Sequence, residues 1–206
     1  MTTVHKYNLP DFDIFNNDQA NKNYSFWIPD KKYLILGQSN KPEDSLFEEK
    51  VNEDNLTVYK RPSGGEAVIL TKNTLVISIV FTAENFENPG KYFSIANGFI
   101  MNALRKLGIS NIGQKGISDI TIGNKKILGS SIYRRKDKIF YHAVLNVSES
   151  ISQIAYYLKH PKKEPDYRKG RNHQEFVTSI RAEGFTFEIH EIISAIENEI
   201  ISNNHN

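Results

Sequence analysis

The chain has 206 residues, of which 39% are hydrophobic and 24% are charged, and its net charge at pH 7 is +2. This composition is typical of a folded globular protein, and the nearly balanced charge does not indicate a general nucleic-acid-binding surface, although it leaves a local basic patch open. There is no cysteine, which excludes disulfides, thiolate metal sites and a cysteine nucleophile. The sequence shows no signal-peptide-like start and no run of about 18 apolar residues. We therefore expect a cytoplasmic protein with neither a membrane nor a nucleic acid as its partner.

Short β-branched or aromatic runs dominate the first part of the chain and predict strands. They lie at residues 24–29, 32–37, 56–61, 66–71 and 74–81. The next segment, residues 89–108, changes to a helical period. Its apolar residues share one face and are Phe93, Ala96, Phe99, Ile100, Ala103, Leu104 and Leu107. This pattern predicts an amphipathic helix that ends at Gly108.

A second block of strand-like runs follows at residues 119–123, 125–135 and 138–147. The turn residues between the runs predict two consecutive hairpins. Residues 150–159 predict a short helix, and a final amphipathic helix carries Ile189, Ile192, Ile193, Ile196 and Ile200. No repeat or linker interrupts the chain. We therefore predict one domain over residues 1–206, of the α+β class, with mixed or antiparallel sheets and packed helices.

The stretch YKRPSGGEAV, residues 59–68, places two glycines and a cation inside a strand-like run. Because glycine has no Cβ, Ser63-Gly64-Gly65 allows backbone N–H groups to lie against an anion, and Arg61 offers a positive fork for phosphate. The same residues are typical of a glycine-rich hairpin turn beside a surface arginine. Both interpretations stay open on this stretch alone.

A second candidate site lies between Asp119, which begins a strand, and the small residues that start at Gly129. Lys125 and Lys126 enter the strand between them. Paired lysines beside a hairpin turn are usually solvated charges on an edge strand. Strand alternation directs the two lysines to opposite faces, so at most one of them points into a site.

The histidines give weaker signals. His142 lies in an apolar strand, where a histidine is more often a hydrogen-bonded core or edge residue than a catalyst. The other histidines show no metal-ligand spacing. The basic segment at residues 162–180, which contains Arg168, Lys169, Arg171 and His173, is either a mobile surface loop or a clamp on phosphates or on an acidic partner.

Taken in order, these motifs resemble the lipoate–protein ligase branch of the biotin and lipoate ligase superfamily. YKRPSGGEAV is similar to the family's Arg-x-Ser-Gly-Gly-Gly-Ala-Val motif. SDITIGNKKILGSSIYRRKDKIFYHAVLNV is similar to its Asn-Asp…Lys-(Val/Ile)-x-Gly-(Ser/Ala)-Ala…His-His-Gly-Thr-Leu block. AYYLKHPKK…RKGR stands where the family has a lysine-rich segment. The resemblance covers residues 34–180, and the ordered motifs are more specific together than any one alone.

The resemblance implies a catalytic domain of the biotin/lipoate ligase type, with its substrate between the Gly-Gly strand and the lysine strand. Members of this family activate lipoate with ATP and Mg2+ to lipoyl-AMP, and then transfer the lipoyl group to a lysine of an acceptor protein. On this resemblance we expect an ATP-dependent lipoate–protein ligase. The chemistry agrees, because a fixed ammonium and backbone amides stabilise the charge that develops on the α-phosphate.

The resemblance also assigns site residues. Lys126 matches the family's catalytic lysine, because Ile127-Leu128-Gly129 follow it as the motif requires. Asp119 matches the acidic residue beside that lysine, where it would orient the amine or help to hold Mg2+. The residues expected to bind the acyl-adenylate are Arg61, Ser63, Gly64, Gly65, Gly129, Ser130, His142 and Ala143.

Some positions depart from the family's pattern, and the most consequential is Glu66, which replaces the third glycine. A carboxylate facing the phosphates would weaken ATP binding. Alternation after Gly65 predicts that Glu66 instead points away from the ligand. The other departures are Leu70-Thr71 for His-Asp, Ile117-Ser118 for Arg-Asn, and Ala143 for a glycine. They leave open a degenerate member that binds a lipoyl ligand or lipoyl domains without catalysis.

Many members carry a small C-terminal accessory domain, for which this chain is too short. We therefore expect either a separate accessory subunit or only part of the reaction. Related acyl transferases use a cysteine nucleophile, which this sequence lacks, so the ligase interpretation is favoured. A ligase for a different acid, such as octanoate or biotin, remains an alternative.

Overall fold

A computed structural model describes residues 2–17, 20–83, 88 and 90–203. The strands are β1 (Val4–Lys6), β2 (Tyr24–Trp27), β3 (Tyr33–Leu36), β4 (Thr57–Lys60), β5 (Val68–Leu70), β6 (Thr74–Thr82), β7 (Ile112–Lys115), β8 (Asp119–Ile122), β9 (Lys125–Arg135) and β10 (Lys138–Asn146). The helices are α1 (Asp13–Asn16), α2 (Pro42–Ser45), α3 (Glu48–Glu53), α4 (Gly90–Lys106), α5 (Ile151–Tyr157), α6 (His173–Phe176) and α7 (Ile189–Asn203). Short 3-10 turns lie at Pro10–Phe12, Asp166–Arg168 and Arg181–Glu183.

The larger sheet has the strand order β2-β6-β10-β9-β8-β7, and neighbouring strands are antiparallel throughout. Helices α4 and α7 cover one face of this sheet, where Ile100 and Ile196 are fully buried in one cluster with Ile77 and Tyr141. Burial of each such side chain stabilises the folded state by about 1.5–3 kcal/mol. The opposite face carries His142, and the second sheet and the cavity lie on that side.

The smaller sheet has the order β1-β4-β3-β5. β4 is parallel to both β1 and β3, whereas β5 is antiparallel to β3. The two sheets meet where Ile35 and Leu70 pack in one buried cluster with Val76 of the larger sheet. The predicted α+β class with mixed and antiparallel sheets is confirmed.

The predicted helices and hairpins are present with shifted ends. The helix predicted from residue 89, which lies outside the described residues, is observed as α4. The hairpin turns contain Gly123 and Lys136, whose φ angles are 57° and 56°. The short strands β1 and β7 were not predicted, because β1 is exposed and β7 has one large apolar side chain, so neither shows alternation. Within the described part of the chain, no helix is both long and apolar enough to cross a bilayer.

Candidate active site

A cavity of about 760 Å³ is lined by residues of both sheets and by the segment after α5. Its wall is largely apolar where β5, β9 and β10 contribute Ile69, Leu128 and Val144. Lys126, Lys163 and other cations also line it, and so do several carboxylates. A volume of this size with few polar groups on an apolar wall is typical of a small-molecule site.

Lys126 is held at the cavity wall by a short polar chain. Its Nζ lies 2.8 Å from Asp119 Oδ1, and the hydroxyl of Tyr167 donates to Asp119 Oδ2 at 2.8 Å. Burial, followed by the Asp119 carboxylate, raises the pKa of the Tyr167 hydroxyl, so this group remains a donor. The lysine ammonium is therefore fixed in position before any ligand binds.

Gly129 provides the space in which the lysine lies. A Cβ at Gly129 would be 2.7 Å from Lys126 Nζ. The register of β8 and β9 is shifted, because Asp119 pairs with Gly129 whereas Thr121 pairs with Lys126. A bulge of this kind redirects a side chain, and here it brings the lysine to the face of Gly129. The sequence pattern gave no sign of this bulge.

The paired lysines differ in their position relative to the cavity. Lys126 lines the cavity, whereas Lys125 does not. Lys125 is half exposed and lies 3.8 Å from Glu183. Its charge is therefore directed away from the Asp119 carboxylate.

Arg61 supports the glycine-containing connection between β4 and β5. Its guanidinium donates to the carbonyl oxygen of Gly64 at 2.7 Å and to that of Glu66 at 2.9 Å. Burial lowers the pKa of Arg61 to about 10, so the group still carries its charge at pH 7. The guanidinium N–H groups thus bind backbone carbonyls, and in this structure Arg61 stabilises the conformation of the connection between β4 and β5. Its role toward a phosphate stays a prediction.

Gly65 explains why the chain has glycines at this point. Its φ angle is 89°, in the left-handed region that favours glycine. Its carbonyl also lies against Gly37, where a Cβ would be only 1.9 Å from Gly65 O. The close approach is thus between two segments of the protein itself.

Replacing Gly37 by alanine is expected to lower the free energy of unfolding by about 1–3 kcal/mol, because the new methyl group displaces the Gly65 carbonyl. Urea denaturation measures this loss. Gly113→Ala is the matched control, since a Cβ at Gly113 meets no heavy atom within 4 Å. Equal stability of the two variants would contradict the observed packing of Gly37 on Gly65.

The orientation predicted for Glu66 rests on a wrong premise. Residues 61–67 are not in a strand, so side chains do not alternate there. Glu66 is among the residues that line the cavity, and its Oε2 accepts a hydrogen bond from Asn40 Nδ2 at 3.4 Å. Strand alternation therefore cannot place the carboxylate of Glu66 away from the cavity.

His142 joins a buried polar cluster. Its Nε2 lies 2.6 Å from Ser63 Oγ and 2.8 Å from Ser131 Oγ, and its Nδ1 lies 3.6 Å from Asp11 Oδ2. Burial lowers the pKa of His142, whereas Asp11 acts in the opposite direction and raises it. His142 is therefore hydrogen-bonded and buried, as expected of a core histidine, and is also among the residues that line the cavity.

Most of the residues assigned to the site from sequence do line the cavity. They are Arg61, Gly65, Asp119, Lys126, Gly129, Ser130, His142 and Ala143. Ser63 and Gly64 are not among the lining residues. Ser63 is almost fully buried behind Ser131 and His142, and the carbonyl of Gly64 is used by Arg61.

Sequence reasoning missed Asp11, Ser131 and Tyr167. Ser131 directly follows the assigned Ser130 on β9. Because side chains alternate along a strand, the two serines lie on opposite faces of the sheet, and this signal could have identified Ser131 as a separate candidate. Asp11 carries no local signal, because its partner His142 is distant in sequence. Tyr167 lies inside the basic segment, which was interpreted through its arginines, lysine and histidine alone.

The basic segment uses its arginines largely on itself. Arg168 stacks on the ring of Phe176 at 4.6 Å and donates from Nε to the carbonyl of Arg171. Arg171 donates in turn to the carbonyls of Tyr167 and Asn124. Nη2 of Arg168 is buried and has no hydrogen-bond partner among the described residues. The segment is thus packed onto the domain. Its Arg168, which lines the cavity, keeps an Nη2 group without a hydrogen-bond acceptor among the described residues.

Metal binding by protein side chains has little support in the geometry. Both Asp119 oxygens already have partners, Lys126 and Tyr167. No group of three or more His, Asp or Glu residues that could hold a metal ion occurs in residues 2–17, 20–83, 88 and 90–203. The assignment of Asp119 to Mg2+ stays a prediction.

Two packed sheets, an apolar cavity between them and an ammonium fixed at its wall are features of a domain that binds a small molecule. The family described as "Lipoyl protein ligase A/B catalytic domain" matches residues 13–201. The chain therefore belongs to that family.

The relatives agree with this membership. Lipoate-protein ligase A of Psychrobacter cryohalolentis is 28% identical over 159 residues, which are 76% of this chain and 45% of that protein. The match thus covers less than half the length of this relative. The fold is similar to that of a bipartite lipoate protein ligase from Thermoplasma acidophilum (TM-score 0.78, 18% identity, 99% of this chain and 84% of that one). It is also similar to a lipoate-protein ligase A bound with ATP (TM-score 0.76, 18% identity, 100% and 84%).

Proposed function

We propose that this protein is an ATP-dependent lipoate–protein ligase, which activates lipoate to lipoyl-AMP and transfers the lipoyl group to a lysine of an acceptor protein. The observation that carries the proposal is the ammonium of Lys126, held by Asp119 across Gly129 at the wall of an apolar cavity. Family membership supports the choice of lipoate as the acid.

The first step joins the acid to the nucleotide. A carboxylate oxygen of lipoate attacks the α-phosphorus of ATP, the bond to the β-phosphate oxygen breaks, and pyrophosphate leaves. Lys126 stabilises the negative charge that develops on the α-phosphate oxygens. Asp119 and Tyr167 keep the ammonium in place, which reduces the reorganisation required at that moment.

In the second step the amine of the acceptor lysine attacks the carbonyl carbon of lipoyl-AMP. The bond between that carbon and the phosphate oxygen breaks, AMP leaves, and the amine loses its proton. The apolar wall formed by Ile69, Leu128 and Val144 suits the aliphatic part of the acyl chain. The unused Nη2 of Arg168 adds a cationic donor for the phosphate.

In the proposed reaction, Mg2+ would bind together with ATP, mainly through the phosphates. Mg2+ is commonly held by substrate phosphates and water together with one or two carboxylates. Asp119 is the assigned carboxylate, and its engagement with Lys126 and Tyr167 disfavours a direct metal contact. The chemical contribution of the ion is to neutralise phosphate charge.

The proposed partner is a lipoyl-acceptor domain. The similar protein from Thermoplasma acidophilum is a bipartite lipoate protein ligase, and it is described together with its E2 lipoyl domain. By analogy we propose a separate accessory subunit for this chain. We also propose a cytoplasmic location, which membership of this ligase family supports. Copurification with a second polypeptide, followed by its identification, tests the subunit proposal.

Pyrophosphate release with purified protein, ATP and one acid at a time tests the proposed function. We expect release with lipoate, and less release with octanoate or biotin. Faster release with octanoate or biotin would reassign the acid. Binding of lipoate without any release would identify a degenerate member that binds its ligand and does not activate it.

Glu66→Gln is expected to lower the KM for ATP by about fivefold, which corresponds to about 1 kcal/mol of relieved repulsion between two partly screened anions. Glutamine keeps the size of the side chain and its contact with Asn40, whereas Glu66→Gly removes both. Steady-state kinetics at varied ATP gives the values. An unchanged KM in both variants would show that the carboxylate does not face the phosphates.

A further inference from the structure

A row of hydroxyl, imidazole and carboxylate groups lies on the cavity face of the larger sheet. Ser131 and Ser78 are the cross-strand partners of His142 on either side. Directly opposite residues of neighbouring strands share a face, so these three side chains form one row. The 3-10 turn Pro10–Phe12 carries Asp11 to the same face, where Ser78 donates to its Oδ2 at 3.4 Å.

The contacts in this row fix the roles of the two ring nitrogens. Asp11 is fully buried and accepts a hydrogen bond from the Tyr7 hydroxyl at 2.8 Å. The carboxylate faces Nδ1 of His142 at 3.6 Å, which favours the tautomer with its proton on Nδ1. Nε2 is then an acceptor for a serine hydroxyl. Catalytic hydrogen bonds in ligand-free sites are often long and shorten when substrate binds.

Of the two serines that contact Nε2, Ser131 is the one that lines the cavity. Its Oγ is 2.8 Å from His142 Nε2, and the residue lines the cavity and is partly exposed. Ser63 also contacts Nε2 but is only 1% exposed. Burial lowers the pKa of His142, so the neutral ring is ready to accept a proton at pH 7.

We propose that Ser131, His142 and Asp11 form a nucleophilic site that takes an aliphatic acyl group from an activated ester without ATP. His142 Nε2 accepts the Ser131 proton while Oγ attacks the ester carbonyl carbon. The carbon–oxygen bond to the leaving alcohol breaks, and the alcohol oxygen takes the proton from Nε2. The product is an acyl ester of Ser131, which water or a lysine amine attacks in turn, with His142 again carrying the proton.

A positively charged side chain lies near Ser131, where the proposed attack places negative charge on the carbonyl oxygen of the ester. Gly129 lies two residues before Ser131 on the same strand face, roughly 7 Å away. The Lys126 ammonium lies against Gly129, because a Cβ there would be 2.7 Å from Nζ. A positive charge on this side of the site acts on the negative carbonyl oxygen of the tetrahedral intermediate through its field and not through a direct contact.

The test uses the full chain with p-nitrophenyl octanoate and no ATP. We expect p-nitrophenolate release above the buffer rate and an octanoyl group on Ser131 in peptide mass spectrometry. Ser131→Ala and His142→Ala should lower the release by about 100-fold or more. The strand residue Ser25, which is not among the cavity-lining residues, provides the control Ser25→Ala, which should keep the full rate.

Three results would overturn the proposal: release by the wild-type protein at the buffer rate, release that persists in Ser131→Ala, or an octanoyl group on Ser63 instead. Asp11 acts through His142 as a positioning residue, so Asp11→Asn should lower kcat and leave the KM for the ester unchanged. A raised KM with unchanged kcat would contradict that role. Pyrophosphate release from ATP and lipoate is measured on the same preparations, so failure of this inference and failure of the ligase function are separate results.

Discussion

Replacing Lys126 by alanine is expected to lower the rate of lipoyl-AMP formation by about 100- to 1000-fold. The ammonium is fixed by Asp119 at the cavity wall, and loss of one such stabilising group costs about 2.7–4 kcal/mol in the transition state. Most of the loss should appear in kcat, because the charge that Lys126 stabilises develops only during the reaction. Quantification of lipoyl-AMP in single-turnover experiments measures the effect.

Lys125→Ala is the matched control, because it removes the same side chain one position earlier. Lys125 is half exposed and lies near Glu183, outside the cavity. We expect its rate of lipoyl-AMP formation to stay within about twofold of the wild-type value, in line with a surface substitution. Equal losses in both variants, or a larger loss in Lys125→Ala, would show that the wrong lysine is assigned.

Replacing Arg61 by alanine is expected to lower the free energy of unfolding by about 3 kcal/mol or more. Its buried guanidinium donates to the carbonyls of Gly64 and Glu66. A hydrogen bond to a charged group contributes about 1.5–3 kcal/mol, and the carbonyls left behind lose their donor. Urea denaturation at pH 7 measures the change.

Arg61→Lys separates charge from geometry. Lysine keeps the charge but cannot donate to two carbonyls through a planar fork, so we expect an intermediate loss of stability. Arg181 is exposed and provides the control Arg181→Ala, for which a change within about 0.5 kcal/mol is expected. A similarly small change in Arg61→Ala would contradict the supporting role of its guanidinium in the connection.

The sequence was sufficient where a local pattern reflects a local physical requirement. The period of α4 and the hairpin turns at Gly123 and Lys136 follow from burial and backbone conformation. Lys126 was assigned as the site lysine from the resemblance to the family's motif, and it lines the cavity. Such features need no knowledge of distant contacts.

Other parts of the site depend on contacts between distant segments and could not be predicted. Asp11 meets His142 only because the smaller sheet and the first turns pack over the larger sheet. Gly37 meets the carbonyl of Gly65 through backbone geometry that no side-chain pattern reports. The orientation predicted for Glu66 was based on treating residues 66–71 as one strand, whereas β5 begins at Val68.

Direct detection of lipoyl-AMP by mass spectrometry, after the purified chain is mixed with lipoate and ATP, tests the central claim most directly. The proposed function predicts lipoyl-AMP in amounts comparable to the protein in the absence of an acceptor. It also predicts that the signal disappears in Lys126→Ala and persists in Lys125→Ala. A folded wild-type protein that binds lipoate and ATP but forms no lipoyl-AMP would contradict the claim that this cavity activates the acid.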